Sequence, residues 1–183
     1  APVAVLAGQS SAAACALAGA LALAGARGEP PESDWGDAYW AQELAERPVV
    51  EWYNVPWGAV SHLLPNGSRV LHAGCGSSAW PEAMATGGAA LDVLHVDGSE
   101  ALVTALRRRY PALRFAAADA RALSGPDFAT GAFDVVLEKG LLDAILFAGL
   151  AGAEAALREL WRVLRPGGRL VSVTAYGGPG QTG

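Results

Sequence analysis

Between Arg69 and Thr174 the sequence alternates short apolar runs with helix-like stretches, and this alternation leaves few folds open. Apolar strands are expected at 70–73, 93–96, 113–117, 133–137 and 170–174. Helices are expected between them. One ends near Thr86, and one is capped by Ser99, carries Leu102, Ala105 and Leu106, and stops before Pro111. Another spans 151–164, with Leu157, Leu160, Trp161 and Leu164 on one side, and Arg165-Pro166-Gly167-Gly168 forms the turn after it. Strands that are apolar throughout and separated by helices form a parallel sheet covered on both faces. The expected class is therefore α/β, with a Rossmann-like doubly wound sheet.

Such sheets bind ligands beyond the carboxyl ends of their strands, so the residues that end strands carry the information. Gly74-Cys75-Gly76 follows the first core strand, and a backbone without Cβ atoms can pass close to a ligand there. Asp97 ends the next strand about twenty residues later, where a carboxylate can accept from both hydroxyls of a ribose. Ser77-Ser78-Ala79-Trp80 stands where a dinucleotide site would have its third glycine and phosphate-binding helix start. The pattern thus favours a nucleoside ligand without a pyrophosphate, such as S-adenosylmethionine (SAM), over NAD.

Composition excludes several partners. A net charge of -5 argues against nucleic acid, which needs clustered Lys and Arg. The only basic run, Arg107-Arg108-Arg109, ends a helix, where cations suit the dipole. Cys15 and Cys75 make no disulfide or metal pattern, and no metal is expected. Residues 3–26 carry no charge and are mostly Ala and Leu; as a helix of about 24 residues they would span roughly 36 Å, enough to cross a bilayer. Gly8, Ala12, Ala16 and Ala20 recur at a spacing that suits helix packing in a membrane. A cleavable signal segment and a buried Ala-rich leader stay open as rivals. The domain division is then 1–28 as an apolar leader, 29–64 as a linker with an aromatic-rich helical extension, and 65–183 as the ligand-binding core. In the extension, helices are expected at 35–47 and 57–64. Trp52, Tyr53 and Trp57 suit either a ligand cage or, in preference, pins that hold the extension to the core.

The motifs resemble those of class I SAM-dependent methyltransferases. The run Val70 to Ser78 looks like motif I, Val96-Asp97-Gly98-Ser99 resembles motif II, and Asp119-Ala120-Arg121-Ala122-Leu123 resembles the "D-A/V-R-x-L" of the third strand. Phe133 to Ala144 is similar to the "FDVVLEKGTLDAL" of a protein-lysine branch that includes the elongation factor 1-alpha lysine methyltransferases. The citrate synthase lysine methyltransferase is a more distant relative of that branch. Arg162 to Leu170 matches its "RVLxPGGR", and Tyr39-Trp40 and Glu51-Trp52-Tyr53 resemble its "YW" and "YDW" elements.

The resemblance implies SAM as cofactor. Gly74, Cys75 and Gly76 would pack on its methionine part, Asp97 with Gly98 and Ser99 would hold the ribose, and Asp119 with Ala120 would meet the adenine. His72 stands where methyltransferases at large often carry an acidic residue that helps hold the SAM amino group. Glu138, Lys139 and Asp143 would line the reaction mouth as catalytic residues, with Glu138 also near the cofactor. A carboxylate there can orient a lysine and accept its proton.

The family's core sheet runs 3-2-1-4-5 and continues into an antiparallel hairpin, strands six and seven. This chain stops at Gly183, so it is expected to be either a truncated piece or a C-terminally shortened copy. Strand 170–174 would then be an edge without charge or proline to guard it, so it should be covered by a partner protein or by the N-terminal segment. Three functions follow: a protein-lysine methyltransferase, a retired methyltransferase-like subunit of a membrane or organellar complex, and a small-molecule methyltransferase. The leader points to an organellar membrane rather than the cytoplasm.

Overall fold

The computed structural model describes residues 49–174, the backbone of 3–7, and Gln42. Its strands are β1 (Val3–Ala7), β2 (Arg69–Ala73), β3 (Asp92–Asp97), β4 (Arg114–Ala117), β5 (Phe133–Lys139) and β6 (Leu164–Val173). The helices between them are α1 (Trp80–Thr86), α2 (Glu100–Arg109), α3 (Leu141–Ala148) and α4 (Leu150–Val163). The sheet order is β1-β6-β5-β2-β3-β4. All pairs from β2 to β6 are parallel, so the core strands run 3-2-1-4-5 as expected.

Alternation along each strand sends neighbouring side chains to opposite faces. Leu71, Leu94, Val136 and Leu170 meet Leu142, Leu146, Leu157 and Leu160 of α3 and α4 on one face. Val70, Val135, Leu137 and Val171 meet Val55, Val60, Leu64, Trp80 and Met84 on the other. The aromatic extension is pinned there: Trp57 packs edge-on against Trp80 at 5.8 Å, and the Trp80 indole donates to the Val55 carbonyl at 3.0 Å. Ser99 caps α2 by accepting from the Leu102 N–H at 3.2 Å.

Several expectations change. The segment 57–64 forms two short 3-10 turns, Trp57–Ala59 and Ser61–Leu63, in place of one helix. Helix α3 is not among the expected helices. Arg165 to Gly168 do not separate α4 from the last strand; they bulge from within β6, since Leu164 pairs with Phe133 and pairing resumes at Arg169 with Val135. The expected helix at 35–47 lies outside the described residues apart from Gln42, which is helical.

The outer edge of β6 is closed by the chain itself. Val3–Ala7 pairs antiparallel with it, Val3 opposite Val173 and Ala7 opposite Arg169. A partner protein covering 170–174 is therefore not needed, because β1 already occupies those backbone groups. The same pairing corrects the expected membrane helix, whose first residues lie in a strand; the remainder of 3–26 lies outside the described residues. Among the described residues no helix is long and apolar enough to cross a membrane.

Candidate active site

At the carboxyl ends of β2, β3, β4 and β5 the loops enclose a cavity of ≈ 540 Å³. Its volume falls in the range of small-molecule and cofactor sites. Gly74 turns the chain out of β2 with φ +62°, and a Cβ there would lie 2.7 Å from the Cβ of Leu141. The loop closes through the Cys75 N–H, which donates to the Val96 carbonyl at 2.9 Å. Cys75 is buried, and burial pushes its thiol well above its ordinary value, so it lines the cavity as an inert group.

Asp97 stands where the two loops meet. One carboxylate oxygen accepts from the Gly76 N–H at 3.0 Å, the other from the Ser99 N–H at 3.1 Å. Burial raises this carboxyl above its usual value, and the N–H groups of Ser99, Gly76 and Gly98 pull it back. In the loop after β4, beside the end of β3, Asp119 is gripped by Arg121, whose Nε lies 2.9 Å and 3.0 Å from its two oxygens. These hydrogen bonds hold the Asp119 carboxyl below its ordinary value. Arg162 fixes the loop that follows by donating to the Leu123 and Phe128 carbonyls at 2.9 and 2.8 Å.

The far wall comes from Val50 and Trp52, together with Lys139, Gly140, Leu141 and Ala144. The Lys139 ammonium lies 2.5 Å from a Glu51 oxygen and 4.3 Å from the Trp80 ring centroid, with its side chain only 3% exposed. Burial lowers its pKa, and Glu51 offsets part of that effect.

Of the residues expected at the site, Gly74, Cys75, Gly76, Asp97, Gly98, Ser99, Asp119, Ala120 and Lys139 line the cavity. His72, Glu138 and Asp143 stand behind it. His72 is buried between strands, its Nδ1 3.0 Å from His95 Nδ1 and its ring stacked on Trp80. Its Nε2 has no hydrogen-bond partner among the described residues. Burial, with smaller contributions from His95 and Lys139, lowers its pKa well below the ordinary value, so it is held neutral. Glu138 is fully buried and accepts from the Leu141 and Leu142 N–H groups at 3.0 and 3.3 Å, which starts helix α3, while Ser172 donates to its other oxygen. Asp143 accepts from the Tyr53 and Thr174 hydroxyls, each at 2.5 Å.

The sequence pattern left out Val50, Arg121 and the α3 residues Ala144, Ile145 and Ala148 as lining groups. The run Leu141-Leu142 to Ile145-Leu146 between Gly140 and Gly149 carried the helical signal for α3.

Residues 71–172 match the family described as the methyltransferase domain. The chain is 38% identical over 159 residues to the EEF1A lysine methyltransferase 4 of Mus musculus, covering 76% of this chain and 60% of that protein. It is 33% identical over 161 residues to the mitochondrial citrate synthase-lysine N-methyltransferase of Pongo abelii, covering 75% of this chain and 67% of that one. Its fold is similar to that of a TehB-like SAM-dependent methyltransferase from Corynebacterium glutamicum, with TM-score 0.53, 23% identity, and coverage of 74% and 68%. The chain thus spans less than two thirds of the mouse relative. With its glycine loop, its strand-ending Asp97 and a match over residues 71–172, the chain belongs to the methyltransferase-domain family.

Proposed function

We propose that the chain methylates lysine side chains of a protein, using SAM as donor. The observation that carries this is the ≈ 540 Å³ cavity that joins Asp97 and Asp119 to the Lys139 and Trp52 wall. The residues present fit the donor. Gly74 and Gly76 keep Cβ atoms out of its path, Asp97 is oriented by two backbone N–H groups and suits a ribose, and Asp119 suits the amino group of an adenine. When bound, SAM supplies a methyl group on a sulfonium, which needs no metal and no further activation.

The protein's task is then to bring a neutral amine to that methyl group, and proximity supplies most of the rate. Glu138 and Asp143 act from behind the wall as positioning residues, Glu138 on the start of α3 and Asp143 on Tyr53. The names of the mouse and Pongo relatives support a protein lysine as acceptor.

The test uses tritiated SAM with the full chain and purified elongation factor 1A or citrate synthase. Label on lysine is the expected result. Donor binding with no label on any lysine would reject the acceptor. Absence of both binding and transfer would favour the retired-subunit reading.

A further inference from the structure

Residues 50–54, of which Val50 and Trp52 line the cavity, form a strap whose attachments go to the loops after β2 and β5. The Val50 N–H donates to Ser77 Oγ at 3.1 Å. Glu51 accepts from the Ala79 N–H at 2.6 Å through one oxygen and from Lys139 Nζ through the other. The Tyr53 hydroxyl donates to Asp143 at 2.5 Å. Ser77 and Ala79 follow β2, whereas Lys139 and Asp143 end or follow β5, so the strap ties these two neighbouring loops of the site together.

The backbone is bent to achieve this. Tyr53 and Asn54 both adopt left-handed conformations, φ +63° and +48°, which residues other than glycine avoid unless their surroundings enforce it. The enforcing contacts surround the Tyr53 ring. Its hydroxyl is held by the buried Asp143, and its edge lies on Gly140, where a Cβ would come within 3.2 Å of Tyr53 Cε2. Asp143 is itself fixed by Thr174 at the end of β6. Between the two anchored residues, Glu51 and Tyr53, Trp52 lines the cavity, as do Val50, Lys139 and Gly140.

We infer that Trp52 is the acceptor-side wall of the cleft, facing the aliphatic stem of the incoming lysine, and that Tyr53 on Asp143 is the latch that holds it there. This rests on the lysine-methylation reading for its ligand, but the latch itself does not. An indole face suits a chain of methylenes that ends in an amine, since it buries the stem and tolerates the cationic form before the proton leaves. Tyr53 and Asp143 are positioning residues in this arrangement, because they reach the acceptor only through Trp52.

Two measurements on the full chain test it. In hydrogen exchange without any ligand, Tyr53→Phe should speed the amides of 50–54 at least about tenfold and leave those of β2 and β5 unchanged. Unchanged exchange in the strap would overturn the latch, whatever the chain methylates. In steady-state methylation, Trp52→Ala should raise KM for the lysine-bearing protein at least about tenfold while the SAM Kd, measured by calorimetry, stays within about threefold. Equal loss of donor affinity would place Trp52 on the donor and overturn the acceptor assignment. Tyr53→Phe combined with Asp143→Asn should be no worse than Asp143→Asn alone, and additive losses would show that the two do not act as one latch. If wild type transfers no methyl group to lysine yet binds SAM, the acceptor is wrong and the Trp52 assignment falls with it, while the exchange result still decides the latch.

Discussion

Replacing Glu138 by Gln should change how stability depends on pH, and the sign follows from where the carboxyl sits. Burial raises its pKa from 4.5 to about 7; the Ser172 hydrogen bond opposes that rise, and the Asp143 charge adds to it. Between those values the folded chain keeps a proton that the unfolded chain has lost, so wild-type stability falls as pH rises through that window and levels off above it. A shift of this size corresponds to about 3 kcal/mol at most. The amide of the Glu138→Gln variant keeps an oxygen for the Leu141 and Leu142 N–H groups and does not titrate. His95, lowered to about 4 by burial, and His72 act in the opposite direction. There the unfolded state binds the extra proton and stability rises with pH toward about 6.5, but this contribution is common to both proteins and cancels in the difference. Urea unfolding of both proteins at intervals from about pH 4.5 to 8 should show the variant gaining on wild type by up to about 3 kcal/mol by pH 7. A difference curve that stays flat would refute the buried, proton-holding carboxyl.

Three further outcomes follow from the geometry. Gly74→Ala forces a side chain onto a +62° φ and against Leu141, so it should cost about 1–3 kcal/mol in thermal or urea unfolding and weaken SAM binding in calorimetry. Glu51→Gln leaves the Lys139 ammonium with the Trp80 ring but without its carboxylate. With Glu51 about one third exposed, the cost should be about 1–2 kcal/mol by urea titration. Deleting residues 1–7 should strip the antiparallel partner from β6, and hydrogen exchange along 169–173 should then quicken markedly or the chain should associate.

The sequence made the core legible because its signals are local. Apolar runs that end in Gly74, Asp97 and Asp119 mark both the strands and the ligand side of the sheet, and Ser99 marks the start of α2. Other features depend on long-range contacts. Glu138 is placed at the mouth by the family resemblance, yet its carboxylate turns inward to the N–H groups that start α3. Tyr53 and Asp143 lie far apart in sequence, and only the folded chain brings their side chains to 2.5 Å. One motif residue also proved structural: Asp134 of the Phe133-Asp134 pair accepts from the Arg69 N–H at 2.7 Å and from Arg165, which ties β5 to β2 and β6. The covering of β6 by β1 was one of two expected outcomes, and pattern alone could not choose between them because 3–7 reads equally well as the start of an apolar helix.

The most direct test of the account is a calorimetric titration of SAM into the full chain and into its Asp97→Ala variant. Asp97 lines the cavity with its carboxylate held by the Gly76 and Ser99 N–H groups, and its proposed role is to accept from the ribose hydroxyls of SAM. Loss of two charge-assisted hydrogen bonds should cost about 2–4 kcal/mol, roughly 30- to 1000-fold in Kd. Saturable binding by wild type with such a loss in the variant is the result the account predicts. Equal affinity in the two proteins, or no binding by wild type, would contradict it.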